Sequence, residues 1–178
     1  MGTKFFYALI LTVCSIVLQL LLFFTGFQTE KLATGQYVQW LGMVIMAIVL
    51  WLGIKAVRDE KPERTMTYGQ RVGAGVLISL YSGLMSAVYT FVHFTFINTS
   101  FAEYTIPLAR EKWAARGLTP AQMEGPEAIT RKMLQPGVQA ILGVVVAVLI
   151  GLILSLIISA LLKGKTPAAP EGAAPATA

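Results

Sequence analysis

The chain has 178 residues, of which 56% are hydrophobic and 13% charged, with a mean hydropathy of +0.69 and a formal charge of +5. A soluble domain carries about 25% charged residues; here the few charges sit in short segments between long uncharged runs, which excludes a water-soluble globular domain and points to an integral membrane protein. The basic excess reads as an orientation signal beside membrane spans, with no nucleic-acid partner, and a lone Cys14 and a lone His93 exclude an internal disulfide and a multi-histidine metal site, so no cofactor is expected.

The first apolar run, Phe5 to Phe24, holds 20 residues without a charge. At about 1.5 Å per residue it covers a hydrocarbon core of roughly 30 Å. It is longer than a signal-peptide core, lacks an Ala-x-Ala site, and has bulky Val13 where a lipoprotein box wants a small residue. Met1-Gly2 is not followed by the hydroxyl that myristoylation needs, since Phe6 stands there. Further runs follow at Tyr37 to Ile54, Val72 to Ile97 and Val138 to Leu162. The last contains 17 Leu, Ile or Val residues, each worth roughly −0.3 to −0.6 kcal/mol on the insertion scale. The expected architecture is an all-α integral membrane four-helix bundle. Its spans lie at about 5–25, 36–55, 70–97 and 138–162, and a short helical extramembrane hairpin joins the third and fourth.

Orientation follows from the basic residues. Lys4, the cluster Lys55, Arg58, Lys61, Arg64 and Arg71, and Lys163 with Lys165 fall on one side. The positive-inside rule makes that side cytoplasmic and both termini with it. The third connection carries Arg110, Lys112, Arg116, Arg131 and Lys132, yet alternation puts it outside.

That connection, residues 98–137, reads as a cap of two short helices. Thr105 starts one that runs through Pro107 and stops near Arg116, with Gly117 as the left-handed terminator. Thr119-Pro120-Ala121-Gln122 starts the second as a capping box with Pro at the first position. Gly125-Pro126 should break or restart it. Gln135-Pro136-Gly137 is the joint before the fourth span, and Tyr104, Leu108 and Trp113 can lie on the membrane surface or against the bundle. Residues 166–178 are Ala- and Pro-rich with nothing large to bury, so a disordered tail is expected there.

Gly53-Ile54-Lys55-Ala56-Val57-Arg58-Asp59 with Met66-Thr67-Tyr68-Gly69-Gln70 resembles the cytoplasmic turn of an uncharacterised bacterial membrane family, domain of unknown function 4199. Lys132-Met133-Leu134-Gln135-Pro136-Gly137, running into Ile150-Gly151-Leu152-Ile153-Leu154-Ser155-Leu156-Ile157-Ile158, looks like its last span. The resemblance covers nearly the whole chain before the tail. It implies four spans in a Gram-negative inner membrane and carries no assigned activity, so it transfers no functional residue.

Two features can carry chemistry or contacts. Gly75, Ser79, Ser82, Ser86, Tyr89, Thr90 and His93 share one arc of the third span, opposite Leu77, Leu84, Val88 and Phe91. Thr12, Ser15 and Gln19 share a face of the first span, and Gln19 should sit level with Tyr89 and His93 and hydrogen-bond with them. A candidate intramembrane polar face is therefore Gln19, Ser82, Ser86, Tyr89 and His93. It is either interhelical glue or a path for a solute or proton. His93 falls about 6 Å from the span's outer end, where interfacial water can meet it. The second feature is Gly143, Ala147, Gly151, Ser155 and Ser159, at steps of four, a row that lets a helix of this chain or of another approach closely. Gly69, Gly73 and Gly75 read as further contact points, and Met43 and Met46 as packing residues. The basic cluster is a topology signal or an anionic-lipid contact.

No nucleophile elbow, zinc-protease motif or phosphate loop occurs, so no enzyme is expected. The leading reading is a non-enzymatic structural or accessory subunit acting through helix packing. Its partners would be the lipid bilayer and a second copy or another membrane protein. The alternative is a small transporter or channel component that uses the polar face of the third span.

Overall fold

The computed structural model describes residues 2–38, 40–62 and 65–162, and those residues form helices and turns without a strand. In chain order the helices are α1 (Thr3–Phe24), α2 (Leu32–Val38), α3 (Trp40–Asp59), α4 (Tyr68–Val92), α5 (Phe101–Ala114), α6 (Pro120–Met133) and α7 (Pro136–Leu161). A π-turn, His93–Ile97, extends α4. Four stretches are long and apolar enough to cross a membrane: α1, α2 with α3 as Leu32–Asp59, α4 with its π-turn as Tyr68–Ile97, and α7. The expected tail, 166–178, lies outside the described residues.

Each span starts or ends for a local reason. Gln70 closes a capping box on Thr67, whose backbone N–H donates to Gln70 Oε1 at 3.0 Å. Pro136 sits in the first turn of α7, where its missing N–H costs nothing. After α1 the chain turns back through Gly26, at φ +79°. The turn then presses on α2: a Cβ on Gly35 would overlap the Phe27 carbonyl, 2.8 Å from its carbon. Only glycine permits that approach, and it fixes the segment that carries Gln28.

The tightest crossing joins α4 to α7. Lipid chains are as apolar as leucine, so burying apolar surface gives helices little reason to associate there, and close van der Waals contact must supply it. Small residues supply it here. A Cβ added to Gly75 would collide with Ser155, 2.8 Å from its Cβ, and one added to Gly151 would collide with Ser79. Gly83 faces Ala147, 3.4 Å from its Cβ by the same construction. Arg71 Nη2 donates to Ser159 O at 3.2 Å. Every step of four residues up α4 is thus matched by a step of four down α7, which is antiparallel packing in register. The partner of the small-residue row is therefore the chain itself. Gly143 departs from the expectation: it is exposed and nothing lies within 4 Å of a Cβ placed there. The same holds for Gly69 and Gly73. Ile141, Val145, Leu149, Ile153 and Ile157 form the opposite row of α7, each at least half exposed, as a lipid-facing row should be.

Toward the chain start the four spans meet in a packed core, with a hollow of about 520 Å³ beyond it beside Thr3, Lys4 and Glu60. Ala8, Leu50, Ile54, Ile78, Ile158 and Leu162 form one buried core from all four spans. Lys55 and Arg58 lie within α3 rather than in the connection after it, because the helix runs on to Asp59; Arg58 is buried and pairs with Asp59 at 2.9 Å. Arg71 is also buried, with Nη1 donating to Met66 O at 2.6 Å. Its charge lies against the last turn of α7, where backbone carbonyls lack helical partners. Arg64 lies outside the described residues.

At the other end α5 and α6 pack on each other. Two expectations about this region are corrected. Helix α5 begins at Phe101, not Thr105, whose hydroxyl donates back to Phe101 O at 2.8 Å. Pro107 therefore lies inside α5, and the bond it forfeits is to the carbonyl of Glu103, an exposed residue that water can reach. Helix α6 runs through Gly125-Pro126 without a break. Glu127, buried, accepts from Arg110 of α5 and from Arg131 one turn on at 2.9 Å, which clamps α6 just past the proline. The guanidinium of Arg110, then that of Arg131, hold the Glu127 carboxyl below the usual carboxylate range. The expected terminators hold. Gly117, at φ +84°, ends α5 with Leu118 N–H donating to Trp113 O at 3.2 Å, and Gln122 Oε1 accepts from Thr119 N–H at 2.9 Å.

The crossing predicts opposite signs for two Gly→Ala changes on one helix. Gly151→Ala overpacks α7 against Ser79 and should cost about 1–3 kcal/mol, whereas Gly143→Ala should gain about 0.5–1 kcal/mol from helix propensity alone. Thermal unfolding in mild detergent reads both, and equal effects would mean that the helices part at Gly151.

Candidate functional site

The polar face of α4 meets α1 in a fixed parallel register. Thr12 Oγ1 donates to Ser82 Oγ at 3.1 Å, and the rings of Phe23 and His93 stack edge to face at 5.6 Å; both pairs are 70 residues apart. Gln19 is therefore level with Tyr89, as the sequence suggests, but His93 is one turn further out, level with Phe23. The expected Gln19–His93 pairing does not form. Gln28, brought back by the turn at Gly26, takes that place.

His93 is fully buried, covered by Phe23, Phe94 and Gln28, so it does not meet interfacial water as its position in the sequence suggested. Its Nε2 lies 3.0 Å from Gln28 Oε1 and its Nδ1 3.1 Å from the Tyr89 hydroxyl. Asn98 Nδ2 donates to the same Gln28 oxygen at 3.4 Å. A carbonyl oxygen only accepts, so the network puts the proton on Nε2 and leaves Nδ1 to accept from Tyr89. The π-turn begins at His93, and Asn98 N–H donates to His93 O at 2.7 Å. Such wide turns recur at functional sites.

Beside this network the cap-side half of the bundle is hollow. One chamber of about 290 Å³ is lined by Ser15, Gln19, Gln28 and Gln139 among others, and a second of about 190 Å³ by Ser79, Ser82, Ser86 and Thr90 among others. Both are bordered by Ser15 and Gly42, so they adjoin. Among the described residues, none that lines either chamber carries a charge. The α4 face thus divides by depth. Gly75 is consumed by the α7 crossing, Ser79 by that crossing and by the edge of the hollow, and Ser82, Ser86 and Thr90 open onto the hollow. Leu84, Val88 and Phe91 point to the lipid side, 52%, 69% and 47% exposed.

Of the candidate polar face, Ser82 and Ser86 line the inner chamber and Gln19 the outer one, while Tyr89 and His93 line neither and bond to each other. Of the small-residue row, Gly143 and Ala147 border the inner chamber, and Gly151, Ser155 and Ser159 are buried against α4. Sequence reasoning did not single out Gln28, Gly42, Asn98 or Gln139. Gln139 carried a signal, as the one amide in the most apolar span, with hydropathy 3.2. Gln28 and Asn98 carried none, because they sit in connections where polar residues are ordinary.

A family model described as "Protein of unknown function (DUF4199)" matches residues 6–164. The chain belongs to this family. The match spans all four long apolar stretches and the chambers between them, and the chain is a multi-pass membrane protein. No curated protein and no solved structure matches it.

The geometry predicts which pairs are energetically coupled. In a double-mutant cycle, Gln28→Leu and His93→Leu should be non-additive by about 0.6 kcal/mol, at most about 1.7. Gln19→Leu and His93→Leu should add within roughly 0.3–0.5 kcal/mol. Unfolding in detergent measures both, and the reverse pattern would restore Gln19 as the partner.

Proposed function

We propose that the chain is a small, non-enzymatic transporter or channel component that receives an uncharged hydrogen-bonding solute in the cap-side half of its bundle. The observation that carries this reading is the pair of adjoining chambers whose largely apolar walls carry hydroxyl and amide groups. Polar side chains inside a membrane that serve only as glue are used up in bonds between helices. Here Ser82 does bond to Thr12 and Gln139 to Leu134 O, but Ser86 and Gln19 face open volume. The uncharged lining favours solutes that need no counter-ion. The accessory-subunit reading drew on the small-residue row, and that row is spent on the chain's own α4 for most of its length.

The cap of α5 and α6 forms an extramembrane hairpin on the outer side, both termini are cytoplasmic, and the membrane is a bacterial inner membrane. Supporting the orientation, Lys4, Lys55, Arg58 and Lys61 gather at one end, where the Thr3 hydroxyl contacts Glu60. A solute then enters from the cap side and stops at the core of Leu50, Ile54 and Ile78, which must separate for passage.

The test is cysteine accessibility in proteoliposomes, with native Cys14 changed to Ser. Ser86→Cys and Thr90→Cys should react with a membrane-impermeant thiol reagent, Leu50→Cys and Ile54→Cys should not, and Gly42→Leu should slow the reaction at position 86. Equal protection of positions 86 and 54 would return the polar face to glue and leave the accessory subunit as the better reading, to be pursued by identifying co-purifying partners.

A further inference from the structure

A further hollow lies beside the π-turn, across Phe94 and Phe101 from the outer chamber. It measures about 410 Å³ and is walled by Thr95, Asn98, Thr99, Arg131 and Gln135, with Phe94 and Phe101 on its inner side. Phe94 and Phe101 also border the 290 Å³ chamber, and their rings stack at 4.8 Å, so this pair separates the two spaces.

Asn98 sits astride that partition. It is 2% exposed, and its Nδ2 is turned toward Gln28. Its Oδ1 is buried and finds no donor among the described residues, and the buried hydroxyl of Thr95 on the same hollow finds no partner either. Buried acceptors of this kind are almost always satisfied in folded proteins. In the π-turn, Asn98 N–H reaches back five residues to His93 O, which inserts one residue relative to an α-helix and turns the following positions by about 100°. The remaining wall carries one cation, Arg131, which is held on Glu127 through Nε at 2.9 Å and Nη2 at 2.8 Å and shares that carboxylate with Arg110.

We infer that this hollow is a binding site for a small uncharged solute bearing N–H or O–H donors, of the carboxamide class, which donates to Asn98 Oδ1 and exchanges a hydrogen bond with Thr95 Oγ1. The site extends the proposed path as its first station, and it depends on that reading only for where the solute goes next. The Phe94–Phe101 pair then decides passage from this station to the chamber that holds Gln19, Gln28 and Gln139.

The experiment uses the full chain in proteoliposomes, with Cys14→Ser and Thr99→Cys as reporter, so that Thr95 and Asn98 stay intact. Acetamide is the probe, N,N-dimethylacetamide is its donor-free counterpart, and Ala114→Cys, exposed at the end of α5, is the reference. Acetamide should slow thiol modification at position 99 saturably, roughly threefold at twice its dissociation constant. It should leave position 114 unchanged, and N,N-dimethylacetamide should protect neither. Asn98→Leu should abolish the protection. Thr95→Val, a near-isosteric change that keeps the fold if Asn98→Leu does not, should weaken it. No protection by acetamide, equal protection by both amides, or protection that survives Asn98→Leu and Thr95→Val in folded protein overturns the site. Protection at position 99 together with a dry position 86 would keep the site and sink the path.

Discussion

Everything else in this bundle is arranged around the α4–α7 crossing. In a membrane the apolar surfaces of helices already have a good solvent, so two spans hold together only where their backbones come close. Gly75 against Ser155 and Gly151 against Ser79 bring them that close, and the arrangement is reciprocal: each helix offers a glycine to the other's serine. Arg71 closes the end of the crossing by donating to carbonyls on both sides of it, Met66 O and Ser159 O. The outcome is one rigid wall built from two antiparallel spans.

A wall of this kind leaves the other two spans a choice that depends on depth. Toward the chain start, α1 and α3 supply Ala8, Leu50 and Ile54, which fill the space against Ile78. Toward the cap, α1 and α3 offer Ser15, Gln19 and Gly42, and Gly42 has no side chain to fill anything. The same four helices therefore hold a packed core toward the chain start and a hollow with polar groups in its walls toward the cap. The turn at Gly26 and the π-turn at His93 bring Gln28, His93 and Asn98 together, with Gln28 lining the outer chamber. A packed core and a hollow beside it are two of the parts that the proposed gated path requires.

Much of this was legible in the sequence. Uncharged runs gave all four spans, with the second longer at both ends than expected. The steps of four in α7 gave a packing row but not its partner, and the 100° arc of α4 gave the polar face. The capping box at Thr119 and the terminator at Gly117 were readable because they are local chemistry. What failed had long-range causes. Gln19 was matched to His93 on depth alone, and the register between α1 and α4 is set by Thr12–Ser82 and Phe23–His93, contacts that no single helix announces. Pro126 reads as a breaker until Arg110, from a different helix, clamps Glu127 beside it. Whether Gly143 is a contact or an opening depends on where α4 diverges, and its own helix pattern is silent on that.

The central claim is that water fills the cap-side half of the bundle and not the half beyond the crossing. Water-edited solid-state NMR of the protein in lipid bilayers tests it residue by residue. The account predicts that water polarisation reaches Ser86 and Thr90 about as fast as exposed Thr119 of the cap, and that Ser155 and Gly151 stay dark. Dry signals at Ser86 and Thr90, or wet ones at Ser155, would contradict it.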